Sequence, residues 1–496
     1  MNKENFYRAN FHNKFFDYII LFAHLAFLFL TLFFLIIKIT DSIAILTPIL
    51  FAFSELIFWY LRERKYNKKI NWMHPVPIFV ISYCITFYQL PLCYYAGYEL
   101  SFYSIYVIFS PENIPYCVLI AALGLSSFFL AEHLVFLMRK GQEKKYYNSD
   151  KNYIDTIKKG RQITFLSRTL LLFIILIFLL FLKSLGGLEV FFKYPYSDAS
   201  MMPIASLYYQ LALFILIYNV ILLQLSKINF NQKKNFIGYI LSWDGLIILT
   251  LIIIMIPFIL SGDRGTYLQL GMLLIAPYFI IIKPLRFKEA IIIFIIMVFF
   301  LSLIGEIRGG KISINEAFSS KIKQLSNPGK WPTLELANSF GTFNIATYLF
   351  PKVYRYNYGL GILFRVAGFI PFFNRFMGLE KINIGKEYVY NSSSFFTYII
   401  NRGNMTSGAG TSCLADIYIE FGPWGIPIIF FLWGLFIGWI SIKIRTKATT
   451  NTVFLYSYLA YFSIYVNRSS FLFGWNAILW AFLIYFIIKK IFLVKY

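Results

Sequence analysis

Gly262-Asp263-Arg264-Gly265 is the stretch of this 496-residue chain whose residue types most directly suggest chemistry. Its two glycines permit a tight turn and close backbone approach. The apolar residues that follow predict a helix whose N-terminal N–H groups would face an anion. Arg264 adds a planar fork of donors suited to phosphate oxygens. The competing reading is a plain turn, with Arg264 paired to Asp263 or reaching toward lipid headgroups. Arg308 follows Glu306 at the end of another apolar run, and Arg468 separates two more. Asp416 and Glu420 stand four apart, hence on one helical face, with Glu420 about 10 Å along that helix from Cys413. Carboxylates within an apolar helix are costly and usually face an interior cavity. That makes Glu420 the first candidate for a general base, ahead of Asp416 and Asp263. Ion pairing with a neighbouring helix, for instance with Arg468, is the alternative for both.

Other chemistries are poorly supplied. The histidines are His12, His24, His74 and His133, all far from the long mixed stretch 309–412. That disfavours a histidine base there, and no zinc-type cluster, metal-holding acidic pair or phosphate-cradling glycine loop is evident. Cys84, Cys93, Cys117 and Cys413 lack metal spacing; only Cys93 and Cys413 fall toward the same face, where a bridge is conceivable. The residues themselves therefore suggest no metal or cofactor site.

These residues must be positioned by membrane helices. Hydrophobic residues make up 59% of the chain and charged ones 14%, against about 25% charged in soluble domains. Apolar runs long enough to cross a bilayer recur throughout, which predicts an all-α polytopic fold of about 12 transmembrane helices. The net charge of +23 is read as Lys and Arg fixing orientation in short loops, not as a nucleic-acid surface. Arg62-Glu-Arg-Lys65, the cations between Arg139 and Arg161, and Lys443, Arg445 and Lys447 mark cytoplasmic ends. Counting from them puts both termini in the cytoplasm. Three regions result: 1–308 with nine spans, 309–412 as one large extracytoplasmic loop, and 413–496 with three spans. The seventh span is expected at 236–260, the eleventh at 452–466 and the twelfth at 472–488. The third, at 76–96, is interrupted by Pro91.

The 309–412 stretch is too long and mixed to be a mere connector. Ser313-Ile-Asn-Glu316 fits a capping box, with Ile314, Phe318, Ile322 and Leu325 on one helical face and Asn327-Pro-Gly329 as its stop. Pro332 is placed to begin a second helix ending before Pro351. The apolar segment from Gly359 to Gly378, interrupted by Arg365, Pro371 and Arg375, reads as interfacial or re-entrant. Arg355, Arg365, Arg375 and Arg402 are spread among many aromatic residues, which suit sugar stacking or an interfacial belt.

The layout and several short segments resemble the Wzy-type oligosaccharide repeat-unit polymerases, which build O-antigens, capsules and exopolysaccharides. The segments are the turn Gly262-Asp-Arg-Gly265, the loop sequence Tyr354-Arg-Tyr-Asn-Tyr-Gly359, the run Gly408-Ala-Gly-Thr-Ser-Cys-Leu-Ala-Asp-Ile-Tyr-Ile-Glu-Phe-Gly422, and Asn467-Arg-Ser-Ser-Phe471. The resemblance implies a GT-C-like glycosyltransferase at the outer face of a bacterial cytoplasmic membrane. Its substrate would be an undecaprenyl-pyrophosphate-linked oligosaccharide, and a chain-length regulator and a flippase would be further partners. Arg264, Arg308 and Arg468 would then steady the departing diphosphate, and Arg365 and Arg402 would guide the donor. The Arg-x10-Gly spacing of some members is missing here, since none of Arg264, Arg308, Arg365 and Arg402 has a glycine eleven residues on. The outer-loop histidine of related ligases is missing too. A lipid-linked oligosaccharide flippase and an O-antigen-ligase-like transferase are the alternative readings.

Overall fold

The computed structural model describes residues 3–38, 43–66, 70–100, 110–146, 160–193, 203–227, 235–261, 264–307, 314–324, 326–370, 373, 392–401, 410–446 and 448–492. Among them the chain is all-α. In order the helices are α1 (Lys3–Ile37), α2 (Ile43–Tyr66), α3 (Pro75–Tyr95), α4 (Ile114–Tyr146), α5 (Gly160–Ser184), α6 (Leu188–Lys193), α7 (Pro203–Lys227), α8 (Phe236–Leu241), α9 (Gly245–Ser261) and α10 (Arg264–Pro277). There follow α11 (Phe287–Ile307), α12 (Ile314–Gln324), α13 (Leu334–Ala337), α14 (Ser339–Leu349), α15 (Leu360–Ala367), α16 (Ser392–Ile400), α17 (Cys413–Thr446), α18 (Thr450–Tyr465) and α19 (Trp475–Phe492).

Nine helices among the described residues are long and apolar enough to cross a membrane. They coincide with nine of the expected spans. The other three, expected at 236–260, 452–466 and 472–488, correspond to shorter helices. The first of these is split into α8 and α9. Asp244 causes the break: its carboxylate accepts the Leu246 N–H at 2.9 Å, capping α9, while Arg168 of α5 donates to it at 2.9 Å. Helix α3, by contrast, runs straight through Pro91 to Tyr95.

Among the described residues, α4 and α17 are the most extensively packed helix pair. On α17, Gly434 leaves no room for a Cβ against the Phe128 backbone of α4, and Gly438, one turn on, leaves only a tight fit against Val135. Small residues spaced in this way let membrane helices approach closely. At one end of this pair, Arg62 donates to Glu132 at 2.6 Å and Arg445 to Glu63 at 2.7 Å. The opposite end carries the described parts of 309–412 and is called the loop end below.

Much of that stretch belongs to the bundle instead of hanging from it. In α14, Phe340, Phe343 and Ile345 are buried. Asn344 accepts the Ser110 N–H at 3.0 Å and returns a bond to the Ser110 carbonyl at 2.9 Å. The helix expected between Pro332 and Pro351 is thus present as α13 and α14, joined at Asn338. α12 matches the helix expected after Ser313, which itself lies outside the described residues. All four cysteines are free: Cys93 faces the Pro328 carbonyl and Cys413 faces Asn467, so no bridge joins them.

Candidate functional site

Two groups of charged residues form at the loop end. The first is built on the kink in α17. Pro423 has no N–H to return to the Ile419 carbonyl, and Gly422 takes a positive φ of 67°. The freed carbonyls are met from outside the helix: the Asn357 N–H donates to Ile419 O at 3.0 Å and the Tyr358 N–H to Glu420 O at 2.8 Å. The loop before α15 is therefore docked by backbone bonds that an unbroken helix would not offer.

The side chains complete the attachment. Glu420 accepts from Asn357 Nδ2 at 3.1 Å and from the Gly361 N–H at 3.0 Å. It caps the first turn of α15, whose N-cap, Gly359, has no side chain to do so. One turn back along α17, Asp416 receives both terminal nitrogens of Arg365, the Ser392 hydroxyl at 2.7 Å and the Phe471 N–H at 3.2 Å. Residues 361 and 365 of α15 thus match 420 and 416 of α17. Burial disfavours the Arg365 charge, but Asp416 outweighs it and raises the pKa above its ordinary value. On the outer side of α15, Leu360, Leu363 and Val366 are exposed, which suits the interfacial placement expected of this segment.

The second group is open. Arg264 begins α10, Glu335 lies on α13, and Arg468 ends the turn after α18. Glu335 joins the arginines: Oε2 pairs with Arg264, and Oε1 lies 3.9 Å from Arg468 Nη2. Burial works against the Glu335 charge. Arg264, then Arg468 and Lys321, outweigh it and hold the carboxyl below the usual carboxylate range.

Arg264, Glu335 and Arg468 line the edge of a cavity of about 780 Å³. Its walls are otherwise mostly apolar. They come from Leu56 of α2, Ile81 of α3, Met272 of α10, and Phe294, Met297 and Leu301 of α11. This volume is within the range of about 300–1,000 Å³ typical of ligand pockets. Much of α11 faces away from the protein, with Ile292, Ile295, Ile296 and Phe300 exposed. The cavity therefore has a charged mouth and an apolar body, with a lipid-facing helix along one side.

Of the residues singled out in the sequence, Arg264 and Arg468 meet at this mouth. Arg365, Asp416 and Glu420 form the separate attachment of α15, and Asp416 pairs with Arg365, not with Arg468. Arg355 is exposed. Asp263, Arg308, Arg375 and Arg402 lie outside the described residues. Sequence reasoning missed Glu335, and with it Asn357, Gly361 and Ser392. Glu316, Glu335, Glu380 and Glu387 are the acidic residues of 309–412. Glu335 could have been found as the one that follows Pro332 in the first turn of a predicted helix.

The class defined by this fold and site is a multi-pass membrane protein whose cavity is apolar within and cationic at its mouth. Comparison of the sequence with family models refines the class. The O-antigen polysaccharide polymerase Wzy model matches residues 18–496, and the chain belongs to that family. Its members are membrane polymerases acting on lipid-linked oligosaccharide repeat units. No curated protein and no solved structure shows significant similarity to the chain.

Proposed function

We propose that this protein transfers a polyprenyl-pyrophosphate-linked glycan onto the terminal sugar of a second lipid-linked repeat unit, at the outer face of the cytoplasmic membrane. The observation that carries this reading is that Arg264 and Arg468, both facing Glu335, line the charged edge of the apolar cavity. An amphiphile with a prenyl tail and a diphosphate head matches both parts: the tail lies among the α2, α3, α10 and α11 side chains, and the head meets the guanidinium groups. Lys65, Lys443 and Arg445 lie at the end of the bundle away from the loop, which favours a cytoplasmic position for that end and an outer position for the mouth. We extend this to about twelve crossings, with α9, α18 and α19 as the short ones, and to a GT-C-like arrangement.

In the reaction, an acceptor hydroxyl oxygen attacks the anomeric carbon of the donor glycan. The bond from that carbon to the diphosphate oxygen breaks, and its electron pair leaves on the prenyl diphosphate. Arg264 and Arg468 stabilise the charge that develops there. The hydroxyl proton goes to a carboxylate. Asp416 and Glu420 are occupied in holding α15, so we assign that role to Asp263, which adjoins Arg264 in the chain. Arg308 and Arg402 are proposed to draw the donor diphosphate toward the mouth.

Purified protein in vesicles with lipid-linked repeat units tests the reading. A ladder of lengthened glycans is expected. Repeat units that cross the bilayer unchanged in length would make the protein a flippase instead.

A further inference from the structure

Glu335 pairs with Arg264 and lies within ion-pairing reach of Arg468, the two arginines that the proposed function assigns to the diphosphate. Two guanidinium groups beside an apolar cavity repel each other and lack full hydration, so a nearby carboxylate offsets a real cost. One Glu335 oxygen serves Arg264 and the other faces Arg468. Two oxygens of a phosphate group would address the same pair of forks in the same manner. The Glu335 side chain is 44% exposed, the most of the three, so a rotamer change can carry its carboxylate into water without moving the backbone.

We propose that Glu335 is a displaceable counter-ion. It fills the anion seat between Arg264 and Arg468, yields to the donor diphosphate, and returns to help expel the prenyl diphosphate after transfer. This inference rests on the reading of Arg264 and Arg468 as the diphosphate seat. Glu335 is a positioning residue, not the base. Each of its carboxylate oxygens is already directed at one of the two arginines, so it is placed to exchange with the diphosphate and not to take the acceptor proton. The arginines therefore bind diphosphate less tightly than they would alone, and release is faster in return.

Binding of farnesyl diphosphate to detergent-purified protein tests this. Glu335→Gln is expected to bind it roughly tenfold more tightly than wild type, as removal of one partly screened charge implies. In the polymerase assay the same variant should show lower KM, lower kcat and stronger inhibition by free prenyl diphosphate. Glu335→Ser gives a second neutral variant with the same expectation, and Glu335→Asp should stay near wild type. Unchanged or weaker binding by both neutral variants, with normal melting, would overturn the counter-ion role. So would a hundredfold loss of kcat at unchanged affinity, which would mark Glu335 as the base. If wild type fails to bind farnesyl diphosphate, or Arg264→Gln/Arg468→Gln binds it equally well, the fault lies instead in the assignment of the seat, and both readings fall.

Discussion

Arg264 and Arg365 each meet a carboxylate at the loop end of the bundle. Arg264 is 23% exposed and its partner Glu335 44%, while Arg365 is 13% exposed and Asp416 2%. Glu335 is shared loosely with Arg468, on the edge of a cavity. Asp416 is saturated by two guanidinium nitrogens, a hydroxyl and a backbone N–H. Residue type alone therefore does not separate a binding group from a fastener. What separates them is how many of the carboxylate's acceptor positions are already filled and whether water or a ligand can reach the rest. The two sites are also neighbours in the chain, since Arg468 serves the open one and the N–H of Phe471 the closed one.

The largest effect should come from breaking the closed pair. Asp416→Asn leaves Arg365 buried beside a neutral group, which typically costs about 3–5 kcal/mol. Thermal melting in detergent should show a strongly destabilised protein. A double variant, Arg365→Met with Asp416→Leu, should recover much of that loss, because two apolar groups leave no charge unpaired. Failure of the double variant to recover would mean that the pair does more than hold α15.

The open pair should behave in the opposite way. If Arg264 stabilises the departing diphosphate as proposed, Arg264→Gln is expected to lower polymerisation about 10²–10³-fold. Melting should move little, since partly exposed ion pairs contribute about 0–1 kcal/mol. A large loss of stability with near-normal activity per folded molecule would reverse the comparison.

Glu420 sharpens it further. A Cβ on Gly361 would collide with the Glu420 carboxylate. Gly361→Ala is therefore expected to cost about 1–3 kcal/mol of stability by forcing the two apart. Glu420→Gln, which keeps an acceptor for the Gly361 N–H, should retain most of its turnover. A collapse of turnover in Glu420→Gln without loss of stability would restore Glu420 as the base.

The sequence made the membrane character, nine of the spans and a helix starting near Arg264 legible because those signals are local: apolar runs, glycines at helix ends and cation clusters. The i, i+4 spacing of Asp416 and Glu420 also showed that they act on one face. It could not show that the face is covered by α15, since that depends on Asn357, Gly361 and Arg365 arriving from about 50 to 60 residues away. The kink at Gly422 and Pro423 was the local hint, because a proline within a helix frees a carbonyl that something must satisfy. Glu335 was hidden for a similar reason. Its neighbours in the chain are ordinary, and only the fold brings α10, α13 and the end of α18 to one cavity. The break at Asp244 shows the reverse failure: a hydropathy window averages over a single polar residue that caps a helix and pairs with Arg168.

Arg468 provides the smallest and most discriminating test, because it stands between the two sites. Its guanidinium is 36% exposed and 3.9 Å from Glu335, farther than Arg264, so it should contribute less to holding the diphosphate. Arg468→Gln is expected to lower polymerisation roughly tenfold, with much of the loss in KM, as a weaker charged contact implies. The Phe471 N–H that serves Asp416 belongs to the backbone and survives the substitution, so melting should stay within about 0.5 kcal/mol of wild type. If Arg468→Gln instead melts like Asp416→Asn, the turn at 466–471 transmits strain from one arginine site to the other. The open and closed pairs would then be halves of a single structure, and the loss of activity in Arg264→Gln would need the same explanation.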